Sequence, residues 1–254
     1  MYRFLLRPAW IAFHLLVALV VVTMVNLGSW QLRRLDERQA FNTRVEQRYD
    51  AVPVPIDELL TASADPDAIE WRPVTVSGSY LVDGTIEIVN RSQGGRAGLD
   101  LVVPLLLDDG RVVLVNRGFV VLADDRTPPP VPAVEVAVTG RLRASQTRGF
   151  GQLADAATGE LLTAQRIDLE RLAAQMPGEL LPMYVDLTVS DPPEPVGGPV
   201  PVALPELTEG NHLSYAVQWF IFSIAVVAGW VLAVRRSIAT RRAGPPAVPP
   251  ADAV

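Results

Sequence analysis

Two long apolar runs bracket a middle whose pattern is extended rather than helical. The first run, AWIAFHLLVALVVVTMVNLGSW, ends at Trp30 and contains no charged residue and one histidine, His14. The second opens in EGNHLSYAVQWF and carries no charge from Leu213 until Arg235. At about 1.5 Å per helical residue, each crosses a hydrocarbon layer of roughly 30 Å. The first exceeds the apolar region of a cleaved signal peptide and no Ala-x-Ala site follows it, so it reads as an uncleaved anchor. Arg3 and Arg7 precede it, and Arg235, Arg236, Arg241 and Arg242 follow the second run. The positive-inside rule therefore places both termini in the cytoplasm of a cell-membrane protein. The predicted organisation is a cytoplasmic N-terminus (1–9), a transmembrane helix (10–30), an extracytoplasmic β-rich domain (31–210), a second transmembrane helix (211–234) and a cytoplasmic tail (235–254). That tail ends in AGPPAVPPADAV, a composition that predicts disorder.

In the middle, RPVTVSGSYL sets Val74, Val76 and Tyr80 against Thr75, Ser77 and Ser79, the period of a half-buried strand. TIEIVNR at 85–91 repeats the pattern, and Asp83-Gly84 predicts a tight turn joining the two as a hairpin. LVVPLLL and RVVLVNRGFVV flank Asp108-Asp109-Gly110 as a second hairpin, with Pro104 marking an edge or bulge. VEVAVTGRL (134–142) and MYVDLTV (183–189) are further strands. Leu169, Leu172, Ala173 and Met176 share a face of a helix near 166–176 that Pro177 ends. The proline-rich stretches ADDRTPPPVPA and SDPPEPVGGPVP are extended connectors. The predicted fold is two transmembrane helices flanking a mainly antiparallel α+β domain.

Composition narrows the function by exclusion. The net charge is −6, all 22 basic residues are arginine, and no basic stripe interleaves with aromatics, which argues against nucleic-acid binding. The absence of cysteine removes disulfides, thiolate catalysis and cysteine-held metals. No nucleophile elbow, phosphate loop, dinucleotide fingerprint or His-Glu-x-x-His helix is present, so the protein reads as a non-enzyme. Asp108 and Asp109 read as solvated turn residues, and SQGGRAG at 92–98 as a flexible loop, an anion cradle being the other reading. Asn90-Arg91 and Asn116-Arg117 recur at equivalent hairpin positions, either as a shared site or as solvated strand ends.

The chain's two histidines fall in the two apolar segments, roughly 20 Å or more apart in depth. His14, inside the membrane, reads as a hydrogen-bonding partner of a neighbouring helix. His212 opens the second helix on the outer side, and Tyr215, Trp219 and Ser223 follow it on one face. An imidazole above two large aromatics suits an iron-bearing macrocycle; an interfacial aromatic belt with a polar cap fits the same pattern. Arg33, Arg34 and Arg38 stand at the outer end of the first helix, where Asp36 and Glu37 compensate them locally or haem propionates on His212 pair with them. Ala225, Gly229 and Ala233, on the opposite face of the second helix, form a small-residue track on which the first helix can pack.

LGSWQLRRLDER, RPVTVSGSY, PLLLDDGRVVLVNRGFV and NHLSYAVQWF, in this order from about residue 27 to 235, resemble the surfeit locus family of cytochrome c oxidase assembly factors. Phe119 departs from the tryptophan more usual after Arg-Gly in that family. The resemblance implies a protein that takes haem a from haem a synthase and aids its insertion into the catalytic subunit of cytochrome c oxidase. His212 is then the axial iron ligand, with Tyr215 and Trp219 packing against the macrocycle and Arg33 and Arg34 meeting its propionates. The alternative is a membrane-anchored scaffold that binds oxidase subunits without touching haem.

Overall fold

The computed structural model describes residues 2–61, 65–122 and 130–243. A 3-10 turn (Arg3–Leu6) precedes helix α1 (Pro8–Tyr49), followed by β1 (Val54–Pro55) and the single-turn helices α2 (Ile56–Leu59) and α3 (Pro66–Ile69). Then come β2 (Pro73–Tyr80), β3 (Ile86–Gln93), β4 (Arg96–Leu106), β5 (Val112–Val121), β6 (Glu135–Ala144) and β7 (Thr163–Ala164). Helix α4 (Leu169–Ala173), β8 (Met183–Asp191) and helix α5 (His212–Ala243) complete the chain. It divides into a helical unit, residues 1–43 with 207–254, and a β unit, residues 44–206.

In the helical unit, α1 and α5 are both long and apolar enough to cross a membrane. Helix α1 runs well beyond Trp30 because neither glycine nor proline interrupts the sequence from Ser29 to Val52. The two helices meet through Ala216 and Ser223, both buried, and through Phe220, whose ring covers Gly28. A Cβ at Gly28 would lie 2.9 Å from that ring, so only glycine permits the approach. The expected track of Ala225, Gly229 and Ala233 does not make this contact. Ala225 and Gly229 are exposed, and nothing lies within 4 Å of a Cβ built on Gly229. The cause is angular: the packing face follows Ala216, Phe220, Ser223 and Trp230, while the small residues lie around the helix from it.

The strands of the β unit form one mixed, mainly antiparallel sheet in the order β1-β2-β6-β8-β5-β4-β3-β7. Parallel pairs join β1 to β2, β3 to β7 and β5 to β8. A further pairing of β2 with β4 at Ser79–Leu106 and Tyr80–Leu105 closes five strands into a ring. Its core takes alternate residues from each: Val74 and Val76, Val103 and Leu105, Val113 and Val115, Val136 and Val138, Met183 and Val185. A second cluster, which includes Ile86, Ile88, Leu114, Ile167, Leu172 and Tyr184, uses residues of the opposite phase on β5 and β8.

The expected β2–β3 hairpin is not formed. Asp83 and Gly84 lie in a 3-10 turn, and β3 pairs with β4 instead. The reason lies in Gly94 and Gly95, both at positive φ (58° and 73°), which make the two-residue turn between paired Gln93 and Arg96. SQGGRAG is therefore neither a flexible loop nor an anion cradle but the end of a hairpin. The second expected hairpin, β4–β5 around Asp108-Asp109-Gly110, is present, with its bulge at Leu101/Val102 rather than at Pro104. The connector at 123–129 and the tail beyond residue 243 lie outside the described residues.

Candidate functional site

Helix α5 begins on Gly210, at φ +66°, and on the Asn211 carbonyl, which accepts from Tyr215 N (3.1 Å) and Ser214 Oγ (2.8 Å). His212 is its first residue and is half-buried. Its Nδ1 lies 2.8 Å from Oε1 of Gln31, on α1. An amide oxygen only accepts, so Nδ1 is the donor of this pair, and in the neutral ring Nε2 is then the nitrogen with the lone pair. The ring edge bearing Nε2 lies on the Gly210 side, where a Cβ built on the glycine would sit 3.6 Å from Cδ2 and 3.7 Å from Nε2. Two further bonds hold the chain entering α5 against the same helix: Arg38 Nε donates to Thr208 O and Gln39 Nε2 to Glu209 Oε1, each at 2.9 Å. Positions 31, 38 and 39 share a face of α1, so the imidazole is fixed at both its ring and its backbone.

Tyr215 is 49% exposed and Trp219 half-buried, its ring edge-on to Phe222 at 6.2 Å. Ser223 shares that side of α5, where the helix packs on α1: it is buried and donates to the Trp219 carbonyl. Arg34 forms an exposed ion pair with Glu37 at 2.7 Å, the local compensation the sequence allowed. Arg33 is exposed and pairs with no carboxylate among the described residues. The structure thus brings His212 to Gln31 rather than to an arginine. Gln31 was missed because helical periodicity orders residues along one helix and does not say which positions meet across two.

His14 occupies a different setting. Trp230 Nε1 donates to its Nδ1 at 2.9 Å, and Trp10, Phe13 and Trp230 surround it with ring centroids 5.6–6.0 Å away. An indole N–H only donates, so Nδ1 is here the acceptor. This is the interhelical bond expected of an intramembrane histidine.

In the β unit, the two Asn-Arg pairs do not build one site. Asn90, at φ 60° in a bulge of β3, donates to Gln165, and Arg91 lies 3.1 Å from Asp100. Asn116 and Arg117 are neighbours on a strand and point to opposite faces. Asn116 donates to Asp186 at 2.9 Å, whereas Arg117, fully buried, pairs with Glu194 and donates to Pro130 O. Asp186 is further held by Arg143 at 2.8 Å. Burial pushes the Asp100 carboxyl up to about 6 despite Arg91, and raises Asp186 despite Arg143. Asp109, in the β4–β5 turn, is bound to Arg111, which holds its carboxyl below the usual range.

The SURF1 family model matches residues 18–224. The chain is 32% identical to a SURF1-like protein of Mycobacterium tuberculosis over 255 residues, covering 98% of this chain and 92% of that one. It is 30% identical to a SURF1-like protein of Monosiga brevicollis (92% and 91% covered). Against Surfeit locus protein 1 of Homo sapiens it is 29% identical (84% and 74% covered).

Proposed function

The chain belongs to the SURF1 family, and from that membership and the His212 geometry we propose that it is a membrane-anchored assembly factor for the haem–copper terminal oxidase. In this reading both termini are cytoplasmic, the β unit lies outside the cell membrane, and His212 holds haem a at the outer face before the catalytic subunit receives it. The observation that carries it is the 2.8 Å contact of Nδ1 with Oε1 of Gln31, which in the neutral ring leaves Nε2 as the nitrogen able to take a metal. Metal-binding histidines are oriented this way, with the second ring nitrogen donating to an oxygen acceptor.

The residues present fit the group. His212 would supply an imidazole nitrogen, and Tyr215 and Trp219 would offer apolar rings on the outer part of α5. Arg33 is available for a propionate, while Arg34 must first leave Glu37. Haem a, if bound, would supply an iron that the His212 imidazole would hold. The protein itself is read as a carrier without catalysis. Haem a synthase and the oxidase subunits are its proposed partners.

The test is an optical spectrum of the detergent-purified protein co-expressed with the haem a synthesis enzymes, with and without His212→Ala. A Soret band lost in the variant supports carriage through His212. Folded protein without haem in both samples overturns it and favours the scaffold that binds oxidase subunits alone.

A further inference from the structure

Helix α5 is longer than a membrane requires. Its 32 residues extend about 48 Å at 1.5 Å per residue, against a hydrocarbon thickness of roughly 30 Å. With His212 at the outer boundary, residues from about 233 onward emerge at headgroup depth on the other side. The indole of Trp230, one turn earlier, is suited to that border. There the helix carries a cavity of 470 Å³ lined by Ala233, Arg236, Ser237, Thr240 and Arg241.

The chemistry of this cavity is one-sided. No carboxylate pairs with Arg236 or Arg241 among the described residues; the Arg241 guanidinium instead lies 4.3 Å from the Phe4 ring, which anchors it without neutralising it. Ser237 has a hydroxyl proton to give, whereas the Thr240 hydroxyl already donates to the Arg236 carbonyl. Two arginines and one serine hydroxyl thus line it as donors beside the apolar end of a spanning helix. A phosphodiester flanked by acyl chains matches both parts: oxygen acceptors for the donors, and hydrocarbon for the apolar surface that begins at Ala233.

We propose that this cavity is a binding site for the headgroup of an anionic phospholipid in the cytoplasmic leaflet. The proposal rests on the membrane topology given above and is independent of haem. Such a lipid fixes the depth and rotation of α5, and hence the level at which His212 opens its other end.

The experiment places the full chain in nanodiscs of phosphatidylcholine with a minor fraction of phosphatidylglycerol, then counts lipids retained on the released protein by native mass spectrometry. The native sequence is expected to retain phosphatidylglycerol in preference to phosphatidylcholine. Arg236→Gln with Arg241→Gln removes the charge-assisted contacts of the site and is expected to weaken that retention at least about tenfold. Arg235→Gln with Arg242→Gln removes the same charge outside the cavity and is expected to leave it intact. Equal loss in both double variants reduces the effect to diffuse charge attraction and overturns the site. Displacement of the lipid by inorganic phosphate alone overturns its assignment to a lipid. Protein that never enters the nanodiscs overturns the membrane reading itself, a result distinct from either.

Discussion

The two histidines of the helical unit are the same residue with opposite proton assignments. At His14, Nδ1 accepts from Trp230, and three aromatic rings enclose the imidazole. At His212, Nδ1 donates to Gln31, and the ring edge carrying Nε2 faces a glycine. Both imidazoles are held by interhelical bonds, but Nδ1 of one accepts and Nδ1 of the other donates. The difference teaches that an intramembrane or interfacial histidine is sorted by what its Nδ1 partner is able to do. An indole donor occupies Nδ1 as an acceptor, whereas an amide oxygen occupies it as a donor and, in the neutral ring, leaves Nε2 the basic nitrogen.

The strongest way to break that comparison is to exchange the fates of the two residues. His212→Ala is expected to abolish haem retention while leaving the protein folded. His14→Ala is expected to keep the Soret band and lower the melting temperature, since it removes an interhelical bond and an aromatic contact. Measuring spectrum and melting for both variants checks the contrast directly. Haem lost from His14→Ala and kept in His212→Ala would invert it.

A finer test lies at Gln31. Gln31→Leu removes the acceptor that holds the proton on Nδ1, and loss of such an orienting partner lowers metal affinity by about 10- to 100-fold. Gln31→Glu keeps an oxygen acceptor at the same reach and is expected to restore retention. In haem-free protein, nitrogen NMR of His212 should show the Nδ1–H form in the native chain and a shift toward Nε2–H in Gln31→Leu. An unchanged tautomer would remove Gln31 from the site even if haem binding were intact.

The β unit repeats the contrast with carboxylates. Both oxygens of Asp186 are engaged, by Asn116 and Arg143, whereas the Asp100 carboxyl has the one ion pair with Arg91 among the described residues and also feels the Asp186 charge. Burial holds Asp100 at about 6, above the ordinary carboxyl value of 3.8. The folded state therefore binds more protons than the unfolded state between those values, so stability falls as pH rises through this window. Asp100→Asn is expected to flatten that slope and to stabilise the protein by about 1 kcal/mol at neutral pH, the lost Arg91 contact offsetting part of a ceiling of about 3 kcal/mol. Melting curves from pH 4 to 8 check the sign; a variant slope equal to the native one would mean that Asp100 does not titrate there.

Much of this architecture was legible because it depends on periods. The alternation in RPVTVSGSYL became the buried and exposed sides of β2, and the uninterrupted apolar runs became α1 and α5. Chain pairing was less legible. Asp83-Gly84 and Gly94-Gly95 are both plausible turn sequences, and only the second carries two residues free to take positive φ. The closing contact of β2 with β4, the registry of α1 against α5, and with it the role of Gln31, depend on residues far apart in the chain. His212 was legible as a candidate because few residue types ligate iron. Its orientation was not, because that is set by an amide 181 positions away.

The smallest effect isolates the hydrogen bond from the ring that makes it. Trp230→Phe keeps an aromatic against His14 but deletes the indole N–H, leaving the Nδ1 lone pair of His14 without its donor. Such bonds contribute about 0.6 to 1 kcal/mol within membranes and in proteins generally. The variant should unfold at slightly lower detergent denaturant while its haem spectrum stays native. A haem spectrum altered by Trp230→Phe would show that the two ends of the helix pair are coupled, and that His14 acts on the site it was set apart from.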